Sequence, residues 1–213
     1  MRFKKLLIGL VALAAVAWLG GLAAAEPPAA RPLLPMPAMS DDGLYQQPWF
    51  LQSFLDLRED LRDAAAKGKR LALLWEQRGC PYCKELHVVN FREPEIVDYI
   101  RAHFEVIQLN LRGARSVTDF DGTVLTEREL ARRYAINFTP TIQFFPASPD
   151  KMAGKTGQEA EVWRLLGYWK PFHFINSFVY VHENAYETDL DFQEWLSARA
   201  KKLRAEGKDV KLW

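Results

Sequence analysis

The chain has 213 residues, of which 49% are hydrophobic and 26% charged, with a formal net charge of +1 at neutral pH. That length fits one ordinary domain with appendages better than two full domains, and the composition excludes a wholly disordered chain. So small a charge gives no electrostatic ground for a polyanionic partner, and no nucleic acid is expected.

Arg2, Lys4 and Lys5 precede an apolar run over residues 6–25 that closes on Ala23, Ala24 and Ala25. A basic start, an apolar core and small closing residues read as a secretory signal peptide cleaved after Ala25. A run of about 20 apolar residues also suffices for an uncleaved anchor. By either route the bulk of the chain is exported, and loss of the leader leaves 25 basic against 27 acidic residues. Residues 26–47 are rich in Pro and Ala without a period and read as an extended linker.

A helical pattern begins at Pro48, with Phe50, Phe54, Leu57 and Leu61 at spacings of three and four and Gly68 as its stop. "RLALLWEQ" reads as a buried strand, and the following "RGCPYCKELH" opens a second helix through about Phe91. "EPEIVDYIRAHF" adds a helix with Pro94 near its start, and "FEVIQLNL" a strand. Asp121-Gly122, between Val117 and Val124, marks a small hairpin insertion over residues 112–125. Thr126 and Glu129 have capping-box spacing at the head of another helix. "TPTIQFFP" and "AEVWRLLGY" are strands, and a helix with an apolar stripe through Phe174, Phe178 and Val181 closes the core. The domain so read spans residues 48–186; residues 187–213 form a charged terminal helix packing on Phe192, Trp195 and Leu196. Alternating helices and strands predict an α/β domain with a mixed sheet.

The chain's two cysteines, Cys80 and Cys83, are three positions apart. In an exported protein cysteines are normally staples, yet a ring this short constrains the unfolded chain little. At the start of a helix, unpaired N–H groups and the helix dipole favour an anion, so the Cys80 thiol ionises easily, and Cys83 lies one turn on as the resolving thiol. Zinc needs more ligands: His87 follows Cys83 by four residues, but His103, His173 and His182 are scattered, and no metal is expected. His87 reads as a helix-surface residue. Pro140, after Thr139, stands at a strand start, where an ordinary trans proline is permitted and a cis peptide beside the cysteines is the functional alternative.

"GCPYC" after a strand, "FTPT" about sixty residues later and "LLGYW" before the last core helix together resemble the thioredoxin superfamily. The stretch from "EQRGCPYCKELH" through "NFTPTIQFF" looks most like exported thioredoxins of sulfur-oxidation gene clusters, the SoxW-like group. This resemblance implies a thioredoxin fold: a central mixed four-stranded sheet flanked by helices, here with the small hairpin insertion and the C-terminal helical tail. It implies Cys80 as nucleophile, Cys83 as resolver, no cofactor beyond their redox-active disulfide, and Pro140 in cis with Thr139 before it. Thr139, Pro140, Pro81 and Tyr82 are then expected to meet the substrate. It further implies a periplasmic reductant of disulfides on client proteins, recharged by a membrane thiol transporter of the CcdA type; a monomer is expected. Where thioredoxins proper carry tryptophan before the first cysteine, this chain has Gly79; where they carry a buried aspartate, it has Leu74. Strand alternation puts Glu76 on the same face as Leu74, so Glu76 is a candidate proton acceptor for Cys83. A periplasmic oxidant or isomerase, and a non-redox binding module on the same scaffold, remain the alternatives.

Overall fold

A computed structural model describes residues 31–152, 154–208 and 210; the leader expected at residues 1–25 lies outside them. Among the described residues no helix is long and apolar enough to cross a membrane. In chain order the elements are β1 (Ala38–Met39), β2 (Tyr45–Gln46), α1 (Leu57–Ala66), β3 (Arg70–Glu76), α2 (Pro81–Val88), α3 (Pro94–His103), β4 (Phe104–Asn110), β5 (Ser116–Thr118), β6 (Val124–Thr126), α4 (Glu127–Arg133), β7 (Thr141–Phe144), α5 (Gly157–Ala160), β8 (Trp163–Leu166), α6 (Pro171–His182) and α7 (Phe192–Ala205).

The central sheet runs β4-β3-β7-β8, with β3 and β4 parallel and the other pairs antiparallel. This is the mixed sheet that the alternation predicts, with the four strands that the resemblance implies. Every residue of β3 is buried, as befits a central strand covered on both faces. Alternation sends Leu71, Leu73 and Trp75 to the face covered by α1 and α4, where they meet Leu57, Leu61, Leu130 and Tyr134. Ala72 and Leu74 point to the face covered by α2, α3 and α6, into a cluster with Leu86, Ile100, Phe174 and Phe178. The terminal helix α7 packs Phe192, Leu196 and Ala200 against Phe172 and Tyr180 of α6.

Two elements differ from the sequence reading. The helix expected from Pro48 starts at Leu57, capped by the Asp56 carboxylate, which accepts from the Arg58 and Glu59 amides. Leu55 has φ +64° and Phe54 is fully exposed, so the apparent three-and-four spacing bridged a loop. Within the expected linker, β1 and β2 pair as a short hairpin, and Leu44 and Gln47 are buried against the domain. The insertion hairpin β5–β6 forms as expected, with Val117 opposite Leu125, and it bonds to the α1 end through Thr118 N to the Leu55 carbonyl. Thr126 and Glu129 make the predicted capping box.

At the end of the sheet remote from the cysteines, His182 of α6 lies 3.1 Å from the Tyr99 hydroxyl, its ring 3.9 Å from that of His103. Burial pushes the Tyr99 phenol up to about 12, so it remains a neutral group beside the imidazole. Burial first, and then His103 and Arg70, hold His182 below the ordinary histidine value. The unfolded chain therefore takes up a proton near pH 6.5 that the folded chain refuses, so this contribution to stability is present above that pH and declines below it. Thermal melts are expected to drop from pH 7 to pH 5, and His182→Gln to flatten that slope. An unchanged slope in the variant would assign the acid sensitivity elsewhere.

Candidate active site

The turn between β3 and α2 carries the cysteines. Gly79 has φ +73°, a conformation that suits glycine and not tryptophan, and it turns the chain into α2. Cys80 is the N-cap residue and Pro81 occupies the first helical turn, where its missing N–H costs nothing. The two cysteines form a disulfide, their Cα atoms 5.2 Å apart. The Cys83 amide donates to Cys80 Sγ at 3.0 Å, an interaction that favours negative charge on that sulfur once the bond is reduced. Cys80 is 9% exposed and Cys83 3%, so Cys80 is the outer member of the pair.

Thr139 and Pro140 come to the cysteines from the start of β7. Their peptide bond is cis, and the Thr139 carbonyl oxygen lies 3.5 Å from Cys80 Sγ. The Thr139 side-chain hydroxyl is buried and has no hydrogen-bond partner among the described residues. Tyr82 is exposed on the far side of the turn, and Phe138, before Thr139, is about half exposed.

A groove of about 510 Å³ opens beside the disulfide, with Cys80, Cys83, Pro81 and Glu76 on one side and Met39, Leu44 and Tyr45 of the β1–β2 hairpin on the other. Arg78 fastens this wall: its guanidinium donates to the carbonyl oxygens of Asp41 and Asp42 at 2.9 and 3.0 Å. Gly43, with φ +78°, lies against the arginine so closely that a Cβ there would fall 2.6 Å from Nε. The insertion hairpin β5–β6 contributes no residue to this groove.

Glu76 ends β3, only 1% exposed, on the α2 side as strand alternation requires. His87 Nε2 lies 3.0 and 3.2 Å from its two carboxylate oxygens, and the Gln108 side-chain amide also donates to it. His87 is fully buried, contrary to the surface position read from sequence, because Cys83, Leu86 and His87 share the inward stripe of α2. Its other nitrogen, Nδ1, is 3.1 Å from Gln47 Nε2. Gln108 in turn donates to the Tyr45 carbonyl, so two contacts join the hairpin strand to the carboxylate's surroundings. Among the described residues no three His, Cys, Asp or Glu side chains converge as a metal site.

The structure thus gathers Cys80, Cys83, Glu76, Pro81, Thr139 and Pro140 at one end of the sheet, and leaves Tyr82 at the rim. Gln47, His87, Gln108 and Arg78 are the members that sequence reasoning missed. For His87 the signal was present, in its i+4 spacing from Cys83 on a helix whose outward positions are Tyr82, Lys84 and Glu85.

Residues 57–170 match the profile of the thioredoxin-like domain family. No match is found among curated proteins. Among solved structures, a thioredoxin-fold protein from Helicobacter pylori is 23% identical, with a TM-score of 0.48 over 65% of this chain and 81% of that one. A thioredoxin from Thermus thermophilus is 25% identical, with a TM-score of 0.45 over 59% and 83%. The C-terminal domain of Neisseria meningitidis DsbD in its oxidised form is 16% identical, with a TM-score of 0.38 over 58% and 87%.

Proposed function

Since the chain belongs to the thioredoxin-like domain family, we propose that it is an exported thiol–disulfide oxidoreductase that reduces disulfides on client proteins. The observation that carries this reading is the Cys80–Cys83 disulfide at the N-terminus of α2, its outer sulfur beside the Thr139 carbonyl.

In the dithiol form the helix terminus and the Cys83 amide favour a Cys80 thiolate. This thiolate attacks one sulfur of a client disulfide; the client's S–S bond breaks, and the departing client sulfur takes a proton from water. The mixed disulfide that remains joins Cys80 to the client. Cys83 then gives up its proton, with Glu76 as acceptor, and its thiolate attacks Cys80 Sγ. The Cys80–Cys83 bond forms, the client's second sulfur leaves with the electron pair and is protonated, and the client departs as a dithiol. An extended client segment would approach Cys80 past Phe138, which is about half exposed just before the buried Thr139–Pro140 pair.

The basic and apolar leader supports export to the periplasm. Clients within a sulfur-oxidation system, and a membrane dithiol transporter of the CcdA type as the source of electrons, rest on the SoxW-like resemblance. The reading takes the protein as a monomer without a bound cofactor. The deciding measurement is the equilibrium reduction potential of Cys80/Cys83 against a glutathione or dithiothreitol couple. A value of about −250 mV or below is expected for a reductant. A value of about −120 to −180 mV would assign an oxidant or isomerase instead. The absence of a reversible couple would overturn redox function altogether.

A further inference from the structure

We propose that Gln47 and His87 are positioning residues that hold Glu76 as the proton acceptor for Cys83, which makes the N-terminal wall of the groove a working part of the redox site. This deepens the oxidoreductase reading and rests on it.

Donor chemistry fixes which atom carries which proton. An amide nitrogen has only protons to give, so the 3.1 Å contact from Gln47 Nε2 requires a lone pair on His87 Nδ1. The imidazole is then neutral with its proton on Nε2, and Nε2–H donates to the Glu76 carboxylate at 3.0 Å. The Gln108 amide supplies the second donor. A buried carboxylate needs such donors, and here both are neutral groups. Glu76 is thereby kept able to receive a proton instead of being locked in an ion pair with imidazolium. Cys83 sits one helical turn before His87 and lines the same groove as Glu76.

Other charges near this network lie at its margins. Arg78 and Asp41 belong to the catalytic turn and the hairpin, and Lys84 lies on the outer face of α2. Behind β4, Arg115 donates to the Gln108 backbone carbonyl and is paired with Glu127. Tyr45 contributes a ring 5.7 Å from the imidazole. The polarity of the relay is therefore set by Gln47, which lies outside the family-matched residues 57–170.

The test follows the resolving step alone. Reduced protein is reacted at Cys80 with the symmetrical disulfide of 5-thio-2-nitrobenzoate, which releases one coloured thiolate, and the second equivalent, displaced as Cys83 attacks Cys80 Sγ, is timed against pH. His87→Phe removes one donor from the carboxylate and is expected to raise the midpoint of the rate–pH profile by about one unit, close to a tenfold loss at a fixed pH below it. Gln47→Glu places an acceptor at Nδ1, loads a second proton on His87, and is expected to lower the midpoint. In the wild type, imidazole nitrogen-15 shifts are expected to show the Nε2–H tautomer. Should His87→Phe fail to fold, Gln47→Glu and the tautomer decide. Midpoints unmoved, or moved in the same direction by both variants, or an Nδ1–H tautomer, would overturn the proposal. Failure of wild-type Cys80 to form the mixed disulfide at all would instead overturn the oxidoreductase reading.

Discussion

Cys83→Ser protein is expected to hold its client covalently. Cys80 still sits at the helix terminus beside the Thr139 carbonyl, so attack on a client disulfide proceeds, and the adduct then persists for want of an internal thiol. Well-placed intramolecular attack is worth an effective concentration of about 10⁵ M or more, far above that of any free thiol in solution. Catalytic turnover should therefore fall by about 10³-fold or more, while one equivalent of client is captured. Non-reducing electrophoresis and intact mass would show the adduct, and Cys80→Ser should show none. A Cys83→Ser protein that turned over normally would remove Cys83 from the resolving role.

The second large effect is structural and reaches the site through β3. Trp75 is fully buried between β3 and α4, its ring edge-on to Tyr134, and its indole N–H donates to Gln143 Oε1 at 2.6 Å. Gln143 in turn donates to Glu161, which is paired with Arg164. Trp75→Ala empties the largest core side chain and leaves the Gln143 carbonyl without its donor. A loss of about 3–5 kcal/mol is expected, equivalent to a fall in Tm of roughly 10 °C in a chain of this size. Trp75→Phe keeps most of the packing and should lose about 1 kcal/mol. Because Trp75 adjoins Glu76 and pairs with Thr141, the alanine variant is also expected to loosen the groove. Thermal melts separated by less than about 2 °C would show that the indole does not anchor this face.

Local chemistry made much of the molecule legible before any coordinates. The capping box at Thr126, the Asp-Gly hairpin, the buried run of β3 and the stripe on α6 are signals contained within a few residues, and each formed where expected. The cysteines and Glu76 were legible because strand alternation and the strand–turn–helix order fix their face and end. What escaped depends on partners distant in sequence. His87 is buried because Gln47, 40 residues earlier, and Glu76, on a neighbouring strand, satisfy its two nitrogens. Its i+4 spacing from Cys83 marks the inward stripe of α2, but the partners that make burial of an imidazole tolerable are not local to that helix. The hairpin at residues 38–46 was hidden in the same way, since a Pro/Ala-rich composition describes an unattached chain and its attachment is supplied by Arg78. Asp56 and Glu59 mark the start of α1 at capping spacing, yet the apolar spacing of Phe50 and Phe54 runs on through the loop before it.

The manner in which that hairpin is fastened has a consequence for how the protein can diversify. Arg78 grips main-chain carbonyls, which every residue type possesses, so the clamp is indifferent to the side chains at positions 41 and 42. Gly43, pressed against the guanidinium, is the position that must stay small. Met39, which faces the groove from the hairpin and is well exposed, is therefore free to vary while the wall remains in place. Attachment and groove lining are thus carried by different parts of the same short segment: Arg78 holds it through main-chain carbonyls, and its side chains line the cavity.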